Sequence, residues 1–169
     1  MINKLTNYSL VLLFFLISLL ICKNSHFAAE ILIYGDNISY DKKENLIARG
    51  KAKVIYGNKI ITSNLIIYSK KEKKIILPLE FNLKDERNNL YYGTSGYFSK
   101  DLSFGSINEP RLLLDDGSRI VGQTAKRTKN IDIITKGVYS PCQSKIKIAN
   151  FLCPIWQLEG EKILHDYDK

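Results

Sequence analysis

From residue 31 onward the apolar residues of this chain recur at every second position, and that period admits strands but not helices. Between 46 and 56 the even positions are Leu46, Ala48, Gly50, Ala52, Val54 and Tyr56, and the odd ones include Arg49, Lys51 and Lys53. One face of such a strand is dry and the other is cationic and wet. Between 75 and 83 the odd positions are Ile75, Leu77, Leu79, Phe81 and Leu83, so the same arrangement is expected again. Pro78 cannot donate to a ladder, which predicts a free edge or a bulge there. No window between 31 and 140 carries a helical stripe.

Turn signals punctuate this pattern evenly. Polar clusters stand at Asp41–Asn45, Gly57–Asn58, Ser69–Lys74, Asp85–Asn89, Ser99–Asp101, Asp115–Gly117 and Lys126–Asn130, about 13–16 residues apart. Tyr40–Glu44 (YDKKE) and Tyr68–Glu72 (YSKKE) are offset by 28 residues, and Ser69-Lys70 recurs as Ser99-Lys100 after 30. The body therefore reads as four copies of a two-strand unit, stacked into a sandwich or a solenoid-like array. A generic β-sandwich with accidental self-similarity is the plainer reading. Stacked units make a slot with dry walls and two ends, whose exposed edges invite pairing with another chain.

The first thirty residues are a different object. Behind Lys4 lies an apolar run, Leu10–Ile21, broken only by Ser18. Its length as a helix, about 18 Å, is short of the roughly 30 Å bilayer core. A short apolar stretch behind a positive charge predicts a secretory signal over 1–29, with an uncleaved anchor as the alternative. Cys22 follows the bulky Ile21 and reads as part of that signal. The 169-residue chain carries a net charge of +8, and losing Lys4 and Lys23 with no acid leaves +6. Nucleotide-binding loops find no support, since neither G-x-x-x-x-G-K nor G-x-G-x-x-G occurs. With only His26 and His165, a Ser-His-Asp hydrolase and His-rich metal sites are poor fits. Export leads to an oxidising compartment, so Cys142 and Cys153 are candidates for a disulfide; a free thiol pair or a metal site is the alternative.

Specific residues then resemble a known family. Tyr34–Asp41 (YGDNISYD), Ala48–Val54 (ARGKAKV) and Ile60–Leu65 (IITSNL) are similar to the OstA-type repeat of the lipopolysaccharide-transport proteins LptA and LptC and of the N-terminal domain of LptD. Leu114–Ile120 (LDDGSRI), Gly137–Cys142 (GVYSPC), Cys153–Leu158 (CPIWQL) and Ile163–Asp166 (ILHD) resemble the LptD family in particular. The likeness covers roughly residues 31–167. LptD continues into an outer-membrane β-barrel, whereas this sequence stops at Lys169. The expectation is therefore a truncated or split LptD, a fragment, or a stand-alone relative. Its parts are a signal peptide (1–29), an OstA-like β-jellyroll (30–140) and a cysteine-containing closing segment (141–169) that leads toward an absent barrel.

The resemblance implies an all-β fold: an open-ended β-jellyroll, or β-taco, of stacked antiparallel strands after the signal helix. It implies a non-enzymatic role without cofactors, in which lipopolysaccharide acyl chains slide through a dry periplasmic groove toward the outer membrane. Each buried CH₂ is worth about 0.8 kcal/mol, so no single polar contact is needed to hold a multi-chain lipid. The candidate lining is Leu46, Ala48, Ala52, Val54, Tyr56, Ile75, Leu77, Leu79, Phe81 and Leu83; a closed hydrophobic core is the bland alternative. The implied partners are lipopolysaccharide, an LptA-like bridge protein paired at the Ile31–Tyr40 strand, and an LptE-like lipoprotein or a separate barrel. In the relatives N-terminal cysteines pair with barrel cysteines; without that segment, Cys142 and Cys153 are expected to pair with each other.

Other readings stay beside this one. The basic residues Arg49, Lys51, Lys53, Lys70, Lys71, Lys73 and Lys74 attract lipid phosphates or an anionic membrane, or are a solvated face; nucleic acid is not expected as a partner. A structural domain that docks a barrel without conducting lipid is the second function class. A carbohydrate-acting enzyme needs two carboxylates facing one cleft, and Asp115-Asp116 and Asp166/Asp168 are turn-like or terminal. Trp156 is expected to pack against the closing strand as core filler.

Overall fold

A computed structural model describes residues 30–141 and 156–167. The expected signal over 1–29 and both Cys142 and Cys153 lie outside the described residues. Among the described residues fourteen strands follow one another: β1 (Ile31–Tyr34), β2 (Asn37–Tyr40), β3 (Leu46–Tyr56), β4 (Lys59–Ser69), β5 (Lys74–Leu77), β6 (Phe81–Lys84) and β7 (Leu90–Gly93). Then come β8 (Ser95–Ser99), β9 (Phe104–Asn108), β10 (Arg111–Leu113), β11 (Arg119–Val121), β12 (Thr124–Thr128), β13 (Ile131–Ser140) and β14 (Leu158–Asp166). Every pairing is antiparallel. The all-β jellyroll expected from the sequence is the observed fold.

The register resolves this sheet into two layers. In the first, β1 pairs with the end of β3 (Lys53–Tyr56), and the start of β4 pairs with β6, followed by β7, β10, β11 and the end of β13. In the second, β2 pairs with the start of β3 (Leu46–Arg49), and the end of β4 pairs with β5, followed by β8, β9, β12 and the start of β13. The long strands β3, β4, β13 and β14 bend and run through both layers. Elsewhere the chain leaves one layer and enters the other at 35–36, 78–80, 94, 109–110 and 122–123. All these crossings share one edge, the spine. Backbone bonds join them along it: Thr94 N donates to Asn108 O, Glu109 N to Gln123 O, and Gln123 N to Thr135 O.

The hairpin turns occupy the opposite edge. Those of the second layer lie at 41–45, 69–74, 99–103 and 129–130, and those of the first at 57–58, 85–89 and 114–118. One full circuit therefore takes about 28–30 residues, which is the repeat seen in the sequence. Among the described residues, left-handed backbone is confined to the two edges. Glu44, Gly57, Lys73, Asn88, Leu102, Gly117 and Lys129 are at turns, and Gly50, Lys51, Glu109 and Lys136 are at the spine. At the spine bend of β3, between Arg49 and Ala52, the register shifts and Gly50 takes φ +69°. Close approach matters as well: a Cβ on Gly93 would fall 2.4 Å from Ile107 Cγ2 and 2.8 Å from Phe81 Cε1.

Two details differ from the expectation. Residues 75–83 are not one strand, because Pro78 ends the ladder and 78–80 cross between layers. The polar cluster at 126–130 is not all turn, because β12 continues to Thr128 and only 129–130 turn. Alternation within 124–128 then sends Arg127 inward beside Ala125. The expected self-similar units are real: each is a pair of strands folded over the spine.

Candidate functional site

The inner faces of the two layers meet in one apolar interior. Ala48, Ala52, Val54, Ile75, Leu77, Phe81 and Leu83 of the expected lining are buried there, with Leu46 and Tyr56 partly buried against them. Ile61, Ile66, Phe98, Ile107, Leu112, Ile120 and Ile134 are among the residues that complete it. The rings of Phe81 and Phe98, one from each layer, meet edge to face with centroids 5.9 Å apart. Leu79 does not join them. It sits on the 78–80 crossing and is 47% exposed, because the strand that would have aimed it inward has ended.

Most of this interior has no solvent-exposed surface, so the side chains of the two layers fill the middle of the expected slot. The two ends are different. Ile38 and Tyr40 stand opposite Ala48 and Leu46, on the inner face of β2, and are 48% and 61% exposed. At the other end Leu158 stands opposite Tyr139 on β14 and is 58% exposed. A concavity of about 300 Å³ there is lined by Ile120, Tyr139, Leu158 and Ile163 together with Lys162 and His165. The apolar interior thus reaches solvent at both ends of the stack. β1 and β2 pair only with β3, and β14 only with β13, so each end of the stack carries a strand with no further partner among the described residues.

The open edge is closed by a buried polar cluster that the sequence reading missed. On the first layer, Asp85 begins the β6–β7 turn. Its Oδ1 accepts from the backbone N–H groups of Arg87 and Asn89, both at 2.9 Å. Its Oδ2 accepts from Asn89 Nδ2 at 3.1 Å and from the Tyr91 hydroxyl at 3.2 Å. On the second layer, Arg127 of β12 faces Asp132 of β13 across the ladder. Arg127 Nε and Nη2 reach the two carboxylate oxygens at 3.0 and 3.1 Å, a bidentate pair. Tyr167, just past β14, accepts from Arg127 Nη2 at 3.1 Å and donates to Asp132 Oδ2.

Three contacts tie these halves together. The Tyr91 and Tyr167 hydroxyls are in hydrogen-bonding contact, the single proton of each going either across to the other or to the carboxylate of its own half. Arg127 Nη2 lies 4.0 Å from Asp85 Oδ2, and the guanidinium sits over the Tyr91 ring at 4.2 Å. Asp85, Asn89, Tyr91, Arg127 and Asp132 are all buried. Burial raises the Tyr91 and Tyr167 phenols above their ordinary range, and the nearby Asp132 charge adds to this. Burial works against the Arg127 charge, but its hydrogen bonds to Asp132 and the neighbouring negative charge reverse the balance and hold it above its ordinary value. At neutral pH the cluster therefore keeps a charged guanidinium and two neutral phenols.

Alternation was the available signal. Arg127 shares a face with Ala125, and Asp132 shares one with Ile134, which marks both as inward. The basic residues expected on one face are dispersed instead. Lys51 lies at the spine, Arg49 and Lys53 on strand segments of different layers, and Lys70, Lys71 and Lys73 in the β4–β5 turn, with Lys74 at the start of β5. Trp156 is 52% exposed and tilts against Tyr139, so it fills no core. His165 packs edge-on against Tyr167, with ring centroids 4.5 Å apart, while Asp166 leaves on the opposite face of β14. Among the described residues no cluster of His, Cys, Asp and Glu is placed to hold a metal ion.

No protein-family model matches the chain, and no curated protein matches it by sequence. Among solved structures it is similar to LptH of Pseudomonas aeruginosa, the LptA-homologous periplasmic component of the conserved lipopolysaccharide transport device. The likeness has 16% identity, covers 61% of this chain and 78% of that one, and gives a TM-score of 0.49.

Proposed function

We propose that this chain is a non-enzymatic carrier module for lipopolysaccharide in the periplasm, passing the lipid toward the outer membrane, and that it corresponds to the N-terminal jellyroll of an LptD-type protein. The observation that carries this reading is an apolar interior that surfaces at both ends of the strand stack, at Ile38 and Tyr40 and again at Leu158. A protein with no ligand in view gains nothing by exposing inward-facing apolar residues at two ends. Amphiphile tails are the chemistry that such a lining suits, and the OstA-type residues quoted above support the same substrate. Edge strands β1 and β2 are suited to strand addition by an LptA-like bridge protein, and β14 to an outer-membrane partner. Cys142 and Cys153 are proposed to bridge each other, which thiol counting before and after reduction tests directly.

A photocrosslinking amino acid at Ile38 and another at Phe81 test the central claim. Lipopolysaccharide is expected in the crosslinked product from both positions. Capture of protein alone at both would leave the docking role, in which the jellyroll seats a barrel without conducting lipid.

A further inference from the structure

The interior is packed shut, so any tail that enters must part the two layers. They are continuous at the spine, where β3, β4, β13 and β14 run through both, and that edge cannot open. We propose that the buried cluster on the opposite edge is a latch built to part, with Tyr91 and Asp85 as one jaw and Arg127, Asp132 and Tyr167 as the other. The proposal deepens the carrier reading, since it names the contacts that must release for a tail to enter from the side.

The hydrogen bonds of the cluster are divided between the two layers. Asp85 keeps four donors from its own layer: two backbone N–H groups, the Asn89 amide and the Tyr91 hydroxyl. Arg127 keeps its bidentate pair with Asp132 and its bond to Tyr167 within the second layer. Each jaw is thus satisfied without the other. Within the latch, what crosses the gap is weaker: a phenol-to-phenol contact that competes for the one proton each hydroxyl otherwise gives to the carboxylate of its own jaw, a 4.0 Å charge contact, and Arg127 over the Tyr91 ring. Burying a charge without a partner is costly, and this division spares either jaw that cost when the two separate. Here parting leaves no unpaired charge on the second layer and a fully solvatable Asp85 turn on the first. A cleft of about 40 Å³ already lies at this edge, lined by both jaws together with Lys59, Arg87 and Lys129. Arg87 reaches over the Tyr167 ring at 4.7 Å, and Lys59 Nζ donates to Asp101 O at 3.5 Å, so two further contacts brace the same edge from outside the latch.

The test uses the full chain with its three native cysteines replaced by serine and spin labels at Lys84→Cys and Lys126→Cys. Both positions are exposed and lie on strands of opposite layers, outside the latch. Electron–electron distance measurement reads the gap, and uptake of the fluorophore N-phenyl-1-naphthylamine reads access to the interior. Tyr91→Phe removes the phenol-to-phenol contact together with one of the four donors to Asp85, and leaves the Arg127–Asp132 pair in place. It is expected to add a longer-distance population and to raise fluorophore uptake several-fold, and Tyr167→Phe should do the same. Asp41→Asn, in the equivalent turn outside the latch, should change neither. An unshifted single distance with unchanged uptake in both phenylalanine variants, while each still unfolds cooperatively, overturns the latch. Parting without any lipopolysaccharide crosslink at Phe81 would sink the carrier reading and leave the latch standing. A crosslink at Phe81 with the gap unmoved in both variants would do the reverse.

Discussion

The turns at 41–45 and 85–89 are made by the same local chemistry in opposite surroundings. Each opens with an aspartate and closes with an asparagine four residues on: Asp41 to Asn45, Asp85 to Asn89. In both, Oδ1 accepts two backbone N–H groups, and the asparagine amide donates to Oδ2. In both, the residue before the asparagine is left-handed, Glu44 at φ 61° and Asn88 at φ 66°. Yet the Asp41 turn stands in solvent at the β2–β3 hairpin, whereas Asp85 is buried against Arg127 and Tyr91. For Asp41 the backbone and side-chain bonds from Asn45 outweigh the small effect of burial and lower the carboxyl pKa. An Asx-type turn is thus fixed locally, while the further use made of its second carboxylate oxygen depends on what the rest of the chain brings to it.

Substitution breaks this comparison most sharply at the buried end. Asp132→Ala strands the Arg127 guanidinium in a dry site and is expected to cost about 3–5 kcal/mol, read from denaturant unfolding. Phe81→Ala removes the ring that meets Phe98 and is expected to cost about 3–5 kcal/mol, whereas Leu79→Ser on the adjacent crossing should stay within about 0.5 kcal/mol. Asp85→Ala leaves the Tyr91 hydroxyl and Asn89 amide short of an acceptor and should cost about 1–3 kcal/mol, with Asp41→Ala costing less because water replaces its carboxylate.

Alkaline titration sharpens the contrast at smaller amplitude. Tyr91 and Tyr167 stay protonated in the folded chain above the pH at which free phenols ionise, near 10. Their folded pKa is raised, so the stability tied to them is fully present below about pH 10 and falls as pH rises through that value, where only the unfolded chain releases the protons. Chemical denaturation between neutral pH and pH 11 should show that decline, and Tyr91→Phe should flatten it. The smallest effect belongs to the exposed end: Lys70→Ala removes a cation 5.2 Å from the Tyr40 ring centroid and should cost about 0.5 kcal/mol.

Much of the architecture was legible because it rests on two local signals. Period-two alternation marked Ala48, Val54, Ile75, Leu77, Phe81 and Leu83 as inward, and turn residues every half-circuit set where the chain reverses. The same alternation failed at Leu79, where Pro78 ends the strand and the chain crosses the spine. Around Arg127 a polar run has the composition of a turn, yet β12 continues through it to Thr128 and its alternation turns Arg127 inward.

Strands, their dry faces, the two kinds of bend and the repeat length follow from local sequence, because each depends on residues only a few positions apart. Tertiary structure alone decided that the layers close on each other and that Asp85 and Tyr91 meet Arg127, Asp132 and Tyr167. Those partners are separated by as many as 76 residues along the chain, and no short-range pattern encodes a contact made only when two layers fold over a common spine.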